Sequence, residues 1–321
     1  MRRSKPMTGN THVIFGTGPA GTTLAELLQA QGKRVRCVNR SGRATLPAGV
    51  ELAAADALDQ GAVDAVCQDA AVVYHCANVP YPQQVELIPR FQATITTGAA
   101  RAQARLVVLD TLYVYGPTGG APMTEQTPHR PTTRKGRMRA QLVERYLAAH
   151  REGRVQVAIG RAADFYGPRV LNSVLGDRVF PAALVGGRMQ LMGNIDLPHS
   201  YSYIGDVARG LAALGERDEA QGRSWLLPVA PALTQRQVAG MVAAQLGIAP
   251  KLMATPRLLI QLLGLGDGFM REFVEMFYQY TEPQIVDSSA IERTLGLAAT
   301  PLQQGIAATV EWYRQRAASA A

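Results

Sequence analysis

Near the N-terminus an apolar run, THVIF (11–15), stops at Gly16, and within five residues the chain resumes as GTTLAELLQAQG (21–32) with apolar positions at helical spacing. A strand that breaks on glycines and re-forms at once as an amphipathic helix fits few architectures. Gly32 is placed to close that helix, and RVRCVN (34–39) then alternates as a second strand. VELAAAD (50–56), AAVVYHCAN (70–78) and RLVVLDT (105–111) are further strand candidates, with a clear helical stretch at 82–103. Strands that are apolar nearly throughout, alternating with helices, predict a parallel sheet covered on both faces.

The junction GTGPAG sets Gly16, Gly18 and Gly21 in G-x-G-x-x-G register. Between a strand and a helix, this spacing predicts a dinucleotide site built from Gly16, Gly18, Pro19, Ala20 and Gly21. The glycines let the backbone approach a pyrophosphate, and the helix start offers unpaired N–H groups and a positive dipole end. A purely structural glycine turn is the competing reading. The second strand ends at Asn39, where an NAD-selective site usually offers Asp or Glu to the ribose hydroxyls. Asn39 does not repel a 2′-phosphate and Arg40, with Arg43 behind it, could pair with one, so NADP(H) is favoured and NAD(H) is possible. Asp56, after the third strand, is a candidate for the adenine edge or simply a turn residue.

Composition narrows the setting. A chain of 321 residues, nearly half apolar, buries a sizeable core. It has no run of 18 apolar residues and no apolar segment before Val13, so neither a membrane span nor a secretory signal is expected. Cys37, Cys67 and Cys76 are unclustered, which suits a reducing cytoplasm and no metal site. The net charge of +8 is spread along the chain, apart from PTTRKGRMRA (131–140), where four basic residues fall within six positions. That cluster lacks interleaved aromatics, so nucleic acid is not expected, and a small anionic ligand fits as well.

Several further segments resemble, in order, the extended short-chain dehydrogenase/reductases of the NAD(P)-dependent epimerase/dehydratase family. VVYHCAN (72–78) resembles the fourth strand, whose end at Ala77 and Asn78 would lie beside the cofactor. VVLDTLYVYGP (107–117) resembles the fifth strand with its V-Y-G ending. VQVAIGRAADFYGPR (155–169) resembles the sixth, with Arg161 and the turn of Tyr166, Gly167 and Pro168. HSYSYIGDVARGLAAL (199–214) resembles a helix entry that Asp206 would cap, and residues 284–313 resemble the C-terminal tail. The resemblance implies a Rossmann-like doubly wound sheet over 11–168, rejoined by 199–230. It also implies a smaller, mostly helical C-terminal lobe from 169 to 321 that holds the substrate, and a possible homodimer. Tyr166 would belong to the cofactor site.

Such proteins usually act through a Ser or Thr plus a Y-x-x-x-K pair. The Ser/Thr position falls on Thr111, but the Tyr and Lys positions fall on Gly136 and Ala140, and no Y-x-x-x-K occurs anywhere in the chain. Phe15 stands where the extended glycine pattern would have Gly. Lys135 and Arg139, four apart on one helical face, are candidates for the missing cation. Tyr113 is the preferred stand-in proton donor, on the expectation that 111, 113 and 115 share one strand face; Tyr166 and Tyr81 stand behind it, and Asp110 is an alternative acid/base. The basic segment could equally serve only as an anchor, or be solvated. The run 257–280, rich in Leu, Met and aromatics, reads as a substrate pocket wall or, more readily, as lobe core or a dimer surface. An NADP(H)-dependent oxidoreductase or epimerase acting on a carbonyl or hydroxyl of a small metabolite is therefore expected, with a non-catalytic NADP(H) sensor as the rival.

Overall fold

A computed structural model describes residues 9–320. Its order opens with β1 (Thr11–Phe15), α1 (Pro19–Ala30), β2 (Arg34–Asn39), β3 (Glu51–Ala54) and α2 (Gln60–Cys67). Next come β4 (Ala70–His75), α3 (Tyr81–Arg101), β5 (Arg105–Thr111), α4 (Arg134–Arg151) and β6 (Val157–Ala162). The six strands and a later one, Arg223–Leu226, form a seven-stranded sheet in the order 223–226, β6, β5, β4, β1, β2, β3, every pair parallel. This is the parallel doubly wound sheet that the alternation of strands and helices predicts.

Side chains alternate across it. Val13 and Phe15 of β1 pack with Val63, Ile95 and Leu142 from α2, α3 and α4, whereas Ile14 packs with Leu24, Leu28 and Trp225 on the face covered by α1 and the helix Ile204–Glu216. Each such large apolar side chain, fully buried, contributes about 1.5–3 kcal/mol. Strand order reverses at β1, which lies between β2 and β4. The loop leaving β1 therefore opens into a crevice at the carboxyl ends of the strands, where ligands of open α/β sheets bind. α1 begins with Pro19 at its first position and ends before Gly32, whose φ of +74° reverses the chain.

Residues 204–226 return to the sheet, and the remaining C-terminal half builds a second core. Phe180, Leu191, Val238, Val242, Ile306 and Tyr313 meet there, with the final helix Leu302–Ala320 laid across it. A satellite cluster gathers Ile260, Met270, Phe273, Phe277 and Tyr280. Residues 172–194 read as a helix and a strand; the structure has bends and turns to Val179, a short helix Phe180–Leu184 and the strand Met189–Met192. Asp206 does not cap the helix at 204. It sits inside the first turn, where its carboxylate accepts from the backbone and hydroxyl of Thr300, 94 residues away. A tertiary partner has taken over the group that local sequence assigns to a cap.

Candidate active site

At Gly16, φ is +105°, and a Cβ there would lie 2.8 Å from the backbone of Cys76 and Ala77, so the loop leaving β1 is packed against the end of β4. A Cβ on Gly21 would run into the carbonyl oxygen of Gly16. Gly18 is different: nothing lies within 4 Å of its missing Cβ. Two glycines thus close the turn, and the middle one leaves its face open in front of the α1 N-terminus. A cavity of about 490 Å³ begins there, lined by Thr17, Gly18 and Pro19, and runs along Thr22 and Glu26 to Thr45–Pro47 and Arg169. These are the features a pyrophosphate needs: close backbone approach, unpaired N–H groups and a positive helix end.

The Asn39 amide is spent on organising this region. It donates to the hydroxyl of Thr17 at 2.9 Å and to the carbonyl of Arg43, and it accepts from the backbone of Gly42 at 2.7 Å. Arg40 and Arg43, on the loop that Asn39 braces, are exposed and hold no side-chain partner among the described residues. Asp56 accepts from the backbone of Leu58 and so helps shape the turn into α2. At the β4 end, Ala77 lies against the Gly16 turn, and Asn78 accepts from Gln84, whose own side-chain oxygen is buried without a partner. Tyr166 is buried in the lobe core against Tyr203. Three residues beyond it Arg169, at φ +67°, reaches the cavity and pairs with Glu26 through both carboxylate oxygens. Sequence reasoning missed Arg169; its only signal was adjacency to the Y-G-P turn.

The other half of the site centres on Tyr113. Thr111 ends β5, and the chain turns at once into a 3₁₀ helix, Leu112–Val114, so residues 111, 113 and 115 do not share a strand face. Thr111 accepts from the backbone N–H of Tyr113 at 3.4 Å, a hydroxyl turned toward local geometry where it forms the cap. Tyr115 is buried, and its hydroxyl accepts from Arg161 at 2.9 Å. The Tyr113 hydroxyl lies 2.8 Å from that of Tyr81. Burial pushes Tyr113 well above its ordinary value and Tyr81 up to about 12, while the charge of Arg139 works the other way on both.

The basic segment resolves into three fates, Arg134 and Lys135 sharing one. Thr133 caps α4 by accepting from Gly136, so the helix has begun by Arg134. Lys135 has no exposed surface. Its ammonium pairs with Glu272 and lies 3.8 Å from Glu275 and 5.1 Å from the Tyr81 ring centroid, while its backbone N–H donates to Glu275. Arg134 reaches the same two carboxylates from the surface. Burial works to raise the Glu272 carboxyl, but the bonds from Lys135 and Arg134 outweigh it and hold it below its usual range. Arg137 donates to the carbonyl of Thr132. Arg139, 7% exposed, lies 3.6 Å from Asp110, which Arg161 also contacts at 3.4 Å, and its Nε is buried with no partner. His75 sits beneath, bonded to the Tyr146 hydroxyl and lowered to about 3 by burial and then by Arg139.

Where the usual tyrosine would stand, the fold leaves no room. A Cβ on Gly136 would meet the Tyr113 carbonyl at 2.6 Å and Pro131 and Thr133 at 2.8 Å. Another charged group, Asp164, was not singled out by sequence reasoning. Asp164 accepts from Tyr280 at 2.8 Å and lies 3.0 Å from His199, which is stacked on Tyr280. Burial alone would raise Asp164; His199 and Tyr280 outweigh it and keep the carboxyl below its usual range. Asp164 also bears electrostatically on Tyr81, Tyr113 and Tyr278.

Residues 13–227 match the NAD dependent epimerase/dehydratase family. The chain belongs to that family. Among its relatives, a dTDP-glucose 4,6-dehydratase from Streptomyces griseus is 28% identical over 225 residues, covering 70% of this chain and 63% of that protein. The matched region thus spans less than two thirds of that relative. The epimerase Mth375 from Methanothermobacter thermautotrophicus superposes with a TM-score of 0.81 at 15% identity, over 98% of this chain and 94% of that one. DesIV, a dTDP-glucose 4,6-dehydratase from Streptomyces venezuelae solved with NAD bound, superposes at 0.77 with 19% identity, over 96% and 98%. At those identities the two structures establish the shared fold. The chain's own residues leave the backbone face at Gly18 open in front of the α1 N-terminus.

Proposed function

We propose that the protein is an NAD(P)-dependent oxidoreductase or epimerase acting on a carbonyl or hydroxyl group of a small metabolite in the cytoplasm, with NADP(H) favoured. The observation that carries this reading is the open glycine cradle at Gly18; past the end of β5, Tyr113 shares a hydrogen bond with Tyr81, and the charge of the buried Arg139 bears on both phenols. Thr17, Gly18, Pro19, Ala20 and the α1 N-terminus would hold the pyrophosphate, with Ala77 and Asn78 flanking it. Arg40 and Arg43, free of side-chain partners, would take a 2′-phosphate. A bound nicotinamide supplies or accepts the hydride.

Tyr113 then handles the proton. Desolvation keeps its phenol protonated, so it donates to a substrate oxygen as negative charge develops there, and the Tyr81 hydroxyl at 2.8 Å can refill it. Arg139 stabilises that charge from a place braced by Asp110. Thr111 orients the substrate oxygen. Lys135 is held by Glu272 and Glu275, so in this reading it supports the wall of the cleft and the charged work falls to Arg139.

NADPH and NADH titrations followed by nicotinamide fluorescence test the cofactor half. Tight NADPH binding that weakens on replacing Arg40 and Arg43 by Ser, by about tenfold, is expected. A screen of aldehydes, ketones and sugar nucleotides tests the rest; Tyr113→Phe should abolish turnover and leave cofactor affinity unchanged. The closed position at Gly136 favours a second reading, a cofactor-binding sensor. That reading takes over if NADPH binds tightly and no substrate in the screen turns over.

A further inference from the structure

The cavity that opens at Gly18 holds one charge of each sign. Of the ten described residues that line it, Glu26 is the one acid and Arg169 the one cation. Glu26 belongs to α1, so an anion that enters in front of that helix approaches a carboxylate and is repelled unless a cation answers it. Arg169 arrives from the other half of the chain. It follows the turn of Tyr166, Gly167 and Pro168 and reaches Glu26 across 143 residues, its guanidinium donating to the two carboxylate oxygens at 3.0 and 2.5 Å. Its φ is +67°, and among the described residues Gln103 is the one other non-glycine residue in that left-handed region. Gln103 lies just past the end of α3, where helices commonly finish that way, whereas Arg169 follows the strand Asp164–Tyr166 and ends no helix. An L side chain takes this conformation at a cost, and here it fixes where the guanidinium emerges.

Stability alone is a weak reason for the pair. Its side chains are 38% and 36% exposed, and an ion pair in that setting contributes little to folding. The fork of two N–H donors that Arg169 presents to Glu26 suits a phosphate as well as a carboxylate. Resting on the reading that the open Gly18 face holds a dinucleotide, we infer that Arg169 is a further binding residue for the cofactor pyrophosphate. It is parked on Glu26 in the free protein and transfers to the diphosphate when that group enters the cavity. Glu26 keeps the guanidinium over the cavity and competes with the ligand for it, so the two members of one ion pair act on binding with opposite sign.

The test is fluorescence titration of the full-length protein with NADPH, with displacement by ADP and by 2′-AMP as separate arms. Arg169→Gln should weaken NADPH and ADP about tenfold and leave 2′-AMP, which has no diphosphate, unchanged. Glu26→Gln should tighten NADPH several-fold, because it frees the guanidinium and removes the acid that shares the cavity. Urea midpoints of both variants should stay close to that of the parent, since the pair is partly exposed and glutamine at 169 meets the same backbone demand as arginine. The inference is overturned if Arg169→Gln binds NADPH as the parent does. It is equally overturned if Glu26→Gln weakens binding as much as Arg169→Gln, which would make the pair a structural strut, or if 2′-AMP loses affinity in place of ADP, which would move the contact to the 2′-phosphate. A parent that binds neither NADPH nor ADP sinks the dinucleotide reading itself; a parent that binds both, with an indifferent Arg169 variant, sinks this inference alone.

Discussion

The loop leaving β1 and the start of α4 share one construction: each packs a glycine so tightly that a Cβ would strike a carbonyl oxygen, Gly16's in front of Gly21 and Tyr113's in front of Gly136. Their consequences are opposite. In the first, the close packing shapes a turn whose middle residue, Gly18, faces open space, so the backbone itself is left accessible. In the second, the glycine stands where the family resemblance aligns a tyrosine, and its neighbours are held by carboxylates: Lys135 by Glu272 and Glu275, Arg139 by Asp110. A close-packed glycine therefore marks a backbone constraint. Whether that constraint binds or removes chemistry depends on what stands beside it.

The largest expected effect breaks the first loop. Gly21→Val should unfold the region at a cost of more than about 3 kcal/mol, because the added atoms meet backbone that cannot move aside. Gly18→Val should leave the melting temperature close to that of the parent and weaken NADPH binding about 100-fold; unchanged affinity would remove the pyrophosphate cradle from the picture. For the second region, Lys135→Met leaves Glu272 and Glu275 with Arg134 as their remaining cation and removes a buried pair, and should cost on the order of 2 kcal/mol in urea denaturation, part of which Lys135→Met combined with Glu272→Gln should restore. A smaller effect separates strain from helix propensity at Gly136. Alanine would ordinarily stabilise a helix interior by about 1 kcal/mol, but the contact with the Tyr113 carbonyl should reverse the sign and leave Gly136→Ala about 1–2 kcal/mol less stable. If that variant is more stable than the parent, the position is open after all.

The buried histidines give the gentlest test. Burial lowers His12 to about 4 and His75 to about 3, so both are neutral in the folded protein while the unfolded chain takes up protons below its ordinary value near 6.5. Their contribution is complete above pH 6.5 and is lost as the pH falls toward 4. The slope approaches about 1.4 kcal/mol per pH unit for each histidine. Urea midpoints measured from pH 7.5 to 4.5 should fall accordingly, and replacing both histidines by Phe should flatten the curve.

Short-range periodicity and the glycine register made the sheet, its parallel sense and the tight glycine turn after β1 legible in the sequence. Those features are set by backbone constraints acting within a few residues, and Gly16, Gly18, Gly21 and Gly32 carry them wherever they occur. Losing the Y-x-x-x-K pair was legible too, as a bare absence. What fills the gap was not. Lys135 meets Glu272 across 137 residues, Asp206 meets Thr300 across 94, and Tyr81 meets Tyr113 across 32, none of it at a spacing that local pattern records. The run 257–280 shows the limit most plainly: it is rich in Leu, Met and aromatics, and only the packed chain decides that Ile260, Met270 and Phe273 enter the core while Leu258, Leu262 and Leu265 face outward. The sequence by itself determined which segments must be buried and where a backbone could approach a phosphate. Tertiary structure alone decided which charges were neutralised and which apolar side chains were left over, because both depend on partners brought from distant parts of the chain.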